Sequence, residues 1–307
     1  MAAINHPVGI LTELLFKQWY REKPKDGYGI SSDYEERLNH LCNQDNEIYI
    51  LSKAIISTNV LSLYSVSPEW AEEHILNWFN WSDCSFSQVA WFCYLWSPRL
   101  HKEFLIKIKA NLLETASHLD DLGEQSQQYA KFLTYVALQK YDEYGVKEVA
   151  VAFSQLSGNA FYHVTVALND ALTSSGDKFD EYWENRIKPF LLKVWPKNQN
   201  FNELTINQLA ILCLNTQKYF VESYSILQHS LSNISDFNYL LRKLNETNLP
   251  EEYPETVLKF LNQIIEDEPR IILGDLNAIL ARISSVDPLL IETQKFSRLN
   301  ALGMLTG

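Results

Sequence analysis

Turn-forming residues are scarce in this chain, which carries only ten glycines and ten prolines in 307 residues. A sandwich or barrel of many short strands needs a turn about every ten residues, and glycine supplies much of that chemistry. The shortage argues against an all-β architecture and for long elements joined by few turns. Cysteine is sparse too. Cys42, Cys84, Cys93 and Cys213 are scattered with no C-x-x-C pair, a usage that fits free thiols in a reducing cytosol and fits neither a disulfide framework nor a zinc site. No run reaches the ~18 apolar residues of a membrane span, and no basic flank precedes a hydrophobic run at the N-terminus. A cytoplasmic protein with no membrane partner is therefore expected.

Basic residues are outnumbered, 26 Lys and Arg against 38 Asp and Glu, for a formal net charge of -12. A field of that sign repels phosphate, so the whole surface is no nucleic-acid footprint, although a local basic strip could survive within it. The usual site motifs are missing as well. Neither G-x-x-x-x-G-K-[ST] nor G-x-G-x-x-G, the loops whose backbone N–H groups converge on phosphates, occurs. H-E-x-x-H, G-x-S-x-G and Cys/His pairs at ligand spacing are also lacking. No catalytic residue, cofactor-binding residue or metal ligand is expected from motifs.

Apolar residues are plentiful, 46% of the chain with 13% aromatic, and charged residues at 21% are ordinary for a folded protein. The length permits one elongated domain or two compact ones. Apolar spacing follows the helical period nearly throughout. Val257, Leu258, Leu261, Ile264 and Ile265 form one stripe of a 3.6-residue helix, as do Tyr129, Phe132, Leu133, Val136 and Ala137, and Leu105, Ile108 and Leu112. Prolines sit where helices should begin, at Pro7, Pro68, Pro250, Pro254, Pro269 and Pro288, where a missing N–H is harmless. With breaks near Gly27, Gly123, Gly158 and Gly176, the chain divides into about fifteen helices of about ten to eighteen residues, without a strand pair. The expected fold is all-α, an irregular HEAT- or armadillo-like solenoid of helical hairpins, with an irregular multi-helix bundle as the alternative. The softest boundary, Thr173-Ser174-Ser175-Gly176-Asp177, would separate an N-terminal lobe, 1–175, from a continuous C-terminal lobe, 176–307.

Two aromatic stretches stand out. Four of the eight tryptophans, Trp78, Trp81, Trp91 and Trp96, fall within one short segment. Val89, Phe92, Cys93 and Trp96 lie at i, i+3, i+4 and i+7, which predicts Phe92 and Trp96 in the core, and Trp78 continues the stripe of the helix before. That leaves Trp81 and Trp91 unexplained, with Arg99 able to stack on an aromatic face beyond the Ser97-Pro98 turn. Trp81 is expected in an inter-helix corner; exposure of both tryptophans beside Arg99 would mark a binding site. In the second stretch, Asp177 to Lys197, Glu184 and Lys188 can pair at i, i+4, Pro189 should kink or restart the helix, and Trp195-Pro196 should end it. Packing accounts for Trp183 and Trp195. The functional alternative is a basic-aromatic surface of Trp183, Arg186, Lys188, Lys193 and Lys197 for an acidic partner.

Other polar groupings read most simply as solvated helix faces and ends. They are Glu72, Glu73 and His74 near Trp70 and Trp78; His118, Asp120 and Asp121; and His101 with Glu103, expected on opposite sides of a helix.

A wider pattern joins these residues. It comprises Asn5-His6-Pro7 with Thr12-Glu13-Leu14 and Trp19-Tyr20, then Pro68-Glu69-Trp70 with Glu73-His74 and Phe79-Asn80-Trp81. It continues through Trp96-Ser97-Pro98-Arg99-Leu100, Leu119 to Gly123 with Tyr129 to Leu133, and Tyr182 to Arg186 through Trp195-Pro196-Lys197. In these the chain resembles, nearly end to end, a family of helical C-terminal regions, known as a domain of unknown function, in bacterial sirtuin-like anti-phage defence proteins. The resemblance implies an NAD-consuming domain upstream or in a separate subunit, and no catalytic residue passes to this chain. Met1-Ala2 ahead of a helix fits an excised fragment or a natural start equally.

The resulting expectation is a non-catalytic scaffold or sensor that binds a protein trigger or organises the effector, with self-assembly through the full-length protein allowed. An all-α enzyme using Glu73, His74 and the His118 to Asp121 cluster is one alternative. The other is a nucleic-acid-binding helical repeat using Arg186 to Lys197, which the acidity of the chain disfavours.

Overall fold

The computed structural model describes residues 5–44, 46–82, 86–197, 199–266 and 274–305. Among them every regular element is helical, and the β geometry is limited to one isolated parallel bridge, Ile234 to Ile265. The chain forms two compact units, Met1–Leu156 and Ser157–Gly307.

The first unit opens with α1 (Pro7–Arg21), α2 (Ser32–Cys42), α3 (Ile50–Thr58), α4 (Val60–Val66) and α5 (Pro68–His74). It continues with α6 (Ser87–Tyr94), α7 (Lys102–Lys107), α8 (Lys109–Glu114), α9 (Leu119–Leu122), α10 (Gln125–Gln139) and α11 (Val146–Gln155). The second unit holds α12 (Ala160–Thr173), α13 (Phe179–Tyr182), a π-helical turn at Trp183–Ile187, α14 (Lys188–Lys193) and α15 (Glu203–Asn215). After these come α16 (Phe220–Leu227), α17 (Asn238–Asn245), α18 (Leu249–Glu252), α19 (Pro254–Ile264), α20 (Leu276–Val286) and α21 (Gln294–Leu305).

Local chemistry explains the starts and stops. Pro7, Pro68 and Pro254 are the first residues of α1, α5 and α19, while Pro250 sits within the first two residues of α18 and Pro288 opens a 3-10 turn. Pro269 and Cys84 lie outside the described residues. Gly123 and Gly176, at two expected breaks, adopt φ of 52° and 54°, where a Cβ would be strained. The helices are shorter and more numerous than expected. The stripe of Leu105, Ile108 and Leu112 is fully buried, yet the helix divides at Ile108, whose ψ opens to 10°. A break of one residue leaves the apolar phase unchanged, so periodicity does not register it.

The division between units falls at Leu156–Ser157, while the Thr173 to Asp177 break lies inside the second unit. The reason is α12, which packs along α15. Buried Asn169 donates to the Gln208 carbonyl at 3.0 Å and accepts from Asn215 Nδ2 at 2.7 Å, so α12 is tied to a helix on the far side of that break. The core is the expected one along α10 and α19: Tyr129, Phe132, Leu133, Val136, Val257, Leu258, Leu261 and Ile264 are all buried.

Many long-range polar bonds join residues a few tens apart, from 26 for Asn277 to Gly303 up to 46 for Asn215 to Asn169, and six pairs lie 39 apart. Tyr20 to Asn59, Tyr144 to Leu105, and Lys109 to Glu148 in the first unit each join residues 39 apart. So do Asn169 to Gln208, Trp183 to Glu222, and Tyr224 to Gln263 in the second.

Candidate functional site

The tryptophan-rich segment resolves differently from its periodicity. Helix α6 buries Ser87, Ala90, Trp91 and Tyr94, at i, i+3, i+4 and i+7. The expected stripe of Val89, Phe92, Cys93 and Trp96 has the same spacing but lies at the margin of the core, with Val89 and Cys93 half-buried, Phe92 36% exposed and Trp96 69% exposed. Both stripes satisfy the helical period, and the one carrying the two rings that can hydrogen-bond at their far ends occupies the core. Trp91 donates from Nε1 to the Phe79 carbonyl at 3.0 Å, and Tyr94 from its hydroxyl to the Arg99 carbonyl at 3.5 Å. Trp96 also lies beyond the helix end at Tyr94. Trp78 is buried as expected. Trp81 and Trp91 therefore do not form an exposed pair beside Arg99, which is itself exposed.

Trp81 instead completes a cluster that the sequence showed only in parts. Its ring stacks on His118 at 4.1 Å with planes 2° apart, and its Nε1 donates to Thr115 Oγ1 at 2.8 Å. His118 Nδ1 lies 2.9 Å from Asp121 Oδ2, a pairing that fixes the orientation of the ring. Gln88 donates to the Asp121 carbonyl. The other polar groupings are satisfied locally: Glu72 pairs with Lys107 at 2.8 Å, and His74 packs on Trp70. His101 and Glu103 come within 3.5 Å, against the expectation of opposite faces, because His101 is the N-cap of α7 and not a helical residue. Among the described residues no group of three His, Cys, Asp or Glu side chains could hold a metal.

In the second stretch the Glu184 to Lys188 pair forms at 2.9 Å, and Lys188 also reaches Glu222 at 2.6 Å. Trp183 is fully buried and donates to Glu222 at 3.0 Å. The π turn precedes Pro189, which has no N–H for the Asn185 carbonyl and whose ring crowds it; the widened turn is closed by the Lys188 N–H donating to the Trp183 carbonyl five residues back. Burial pushes the Glu222 carboxyl up, but the bonds from Lys188 and Trp183 outweigh it and hold it below the ordinary value. Hydrogen bonds to Glu222 and then Glu184 raise the Lys188 ammonium. Of the residues of the alternative basic-aromatic surface, Trp183 is buried, Lys188 is paired with Glu184 and Glu222, Arg186 is half-buried, and Lys193 and Lys197 are exposed. Burial pushes the thiols of Cys42, Cys93 and Cys213 up to about 12, 11 and 12, which makes them poor nucleophiles at neutral pH.

One surface was not anticipated. An open groove of about 750 Å³ runs between α1 and α2, lined by Leu11, Leu14 and Leu15 on one side and Asp33, Arg37 and His40 on the other. Ile10, Leu11 and Leu14 are 42, 65 and 46% exposed, whereas Thr12, Phe16 and Trp19 face the core. The sequence signal was present in a helix apolar on more than one side.

No family model, curated protein or solved structure matches the chain. No helix among the described residues is long and apolar enough to cross a membrane.

Proposed function

We propose that this chain is a non-catalytic helical scaffold or sensor region of a bacterial anti-phage defence protein, which binds a protein trigger or organises an NAD-consuming effector carried elsewhere. The observation that carries the scaffold reading is the apolar α1 groove, where exposed Leu11 and Leu14 and half-buried Leu15 face a charged helix. Isolated apolar residues on a surface need no explanation, but a contiguous patch rimmed by charge is the usual mark of a protein contact. The defence context rests on the resemblance described above.

Within each unit we read the helices as a HEAT- or armadillo-like series. Support comes from long-range polar bonds that span a few tens of residues, as expected when each helical hairpin is tied to the one next to it. A partner would act by favouring one state of the effector over another.

The test is co-purification of the full-length defence protein, or of effector and this chain, from infected cells, with Leu11→Asp and Leu14→Asp as variants. Loss of the partner is expected. NAD turnover by the purified chain alone would overturn the non-catalytic reading. A second reading, an all-α enzyme, draws on the His118 to Asp121 pair under Trp81; it requires an activity that His118→Ala removes.

A further inference from the structure

Two helices of the first unit begin on a histidine. His6 is the N-cap of α1, where its Nδ1 accepts the Val8 N–H at 3.2 Å, and His101 is the N-cap of α7, where its Nδ1 accepts the Phe104 N–H at 3.3 Å. Elsewhere among the described residues, side-chain caps come from Asn46, Asn202, Asp287 and Thr293. Asparagine, aspartate, serine and threonine are the residues that cap well. Histidine adds a different property to the position, a charge that changes between pH 5 and 8.

A ring nitrogen that accepts carries no proton, so both rings are neutral in this arrangement, with the proton on Nε2. In His101 that Nε2 lies 3.4 Å from Ser65 Oγ at the end of α4, and the ring meets Tyr64 edge to face. Protonation makes both nitrogens donors and sets a positive charge at the positive end of the helix dipole. The cap is then lost, and the two sites differ in what replaces it. Glu103 Oε2 lies 3.5 Å from the same Nδ1 of His101, so that ring can exchange the Phe104 amide for a carboxylate. The other groups about His101 are the Tyr64 phenol, Glu69, Arg99, Lys102, and Glu72 paired with Lys107. His6 has no such replacement, because α1 has no acidic residue in its first turn and its Glu13 pairs with Lys17. On the neighbouring elements stand Asp33, Glu36, Arg37 and His40 of α2, then Glu47, Tyr49 and Lys53, and none of their carboxylates forms an ion pair with His6.

We propose that His6 and His101 are proton-operated caps, which hold the first turns of α1 and α7 closed when neutral and release them when protonated. At α7 the release is confined to the backbone of that turn, since Phe104 is fully buried against Tyr64, Phe79 and Tyr94. At α1 it reaches the groove. Val8 lines the groove, and Thr12 Oγ1 donates to the Val8 carbonyl at 2.8 Å while lying 3.0 Å from Ser52 Oγ of α3. The groove then holds its partner at neutral pH and lets it go in acid. This last step rests on the scaffold reading; the caps themselves do not.

The test is amide exchange of the isotopically labelled full chain by NMR, expressed as protection factors corrected for the intrinsic effect of pH, between pH 7.5 and about 5.5. Val8 and Phe104 should each lose at least about fivefold in protection, while Thr205, capped by Asn202 Oδ1 at 2.9 Å in the second unit, keeps its value. Ring nitrogen shifts should place the proton of both histidines on Nε2 at the higher pH. His6→Asn and His101→Asn keep an acceptor that does not titrate, so each should remove the effect at its own amide and spare the other. The parent series decides even where a variant folds poorly. The inference is overturned by protection at Val8 or Phe104 that does not change with pH, by a proton on Nδ1 of either ring, or by an effect that survives the matching asparagine variant. Partner co-purification repeated at the lower pH tests the gating: loss in the parent with retention in His6→Asn supports it, and equal retention in both overturns it. A partner indifferent to Leu11→Asp at either pH would sink the scaffold reading and leave the caps standing.

Discussion

The two tryptophan-rich stretches begin from similar compositions and end in different places. Around the π turn, both tryptophans are internal: Trp183 is bonded to Glu222 and Trp195 to Ser230 Oγ at 3.2 Å. Around α6 the rings are distributed. Trp91 is core, Trp81 is a half-buried stacking partner of His118, and Trp96 stands in solvent. Aromatic density alone therefore says little about a site. Position relative to a helix end, and an acceptor within reach of the indole N–H, decide where each ring goes.

The comparison can be broken by removing one ring at a time. Trp183→Ala deletes a fully buried side chain and leaves Glu222 without its indole donor. A loss of about 3 to 5 kcal/mol is expected in denaturant unfolding of the second unit. Trp91→Phe keeps most of the ring but orphans the buried Phe79 carbonyl, for a loss of about 1 to 2 kcal/mol. The same denaturant series would show an unchanged midpoint if that bond were irrelevant.

Lys188→Met sharpens the electrostatic half of the contrast. Glu222 and Lys188 are partly exposed, so only a small loss is expected at neutral pH. Because the folded Glu222 carboxyl lies below its ordinary value of 4.5, its contribution is present above that value and lost as pH falls through the folded one. The variant should flatten this acid limb, and a parallel acid limb in the two proteins would count against the network. The smallest effect belongs to Trp96→Ala, within about 0.5 kcal/mol of the parent by thermal unfolding. A large loss there would mean that Trp96 packs against the fold.

Helix type and core were legible because burial imposes a 3.6-residue period, as in α10 and α19. Two features were hidden for definite reasons. In α6, two stripes fit the same period, and only the acceptors at Phe79 and Arg99 distinguish them. His118 and Asp121 were visible as neighbours, but Trp81, which stacks on them, comes from a separate element that no local pattern links to theirs. Pro189 announced a disturbance, but not that it would be absorbed by a π turn at Trp183–Ile187. The α1 groove was visible as surplus Leu and Ile on a helix whose core face was already filled.

Bonds between residues 39 apart have a consequence for how the chain comes to be folded. When contacts close loops of similar, modest length, each closure costs about the same entropy, and no late step must wait for the two chain ends to meet. Folding can then start at any well-packed helix pair and spread to its neighbours. Opening can also be confined to a few helices, so amide exchange should report graded protection along each unit in place of one all-or-none opening.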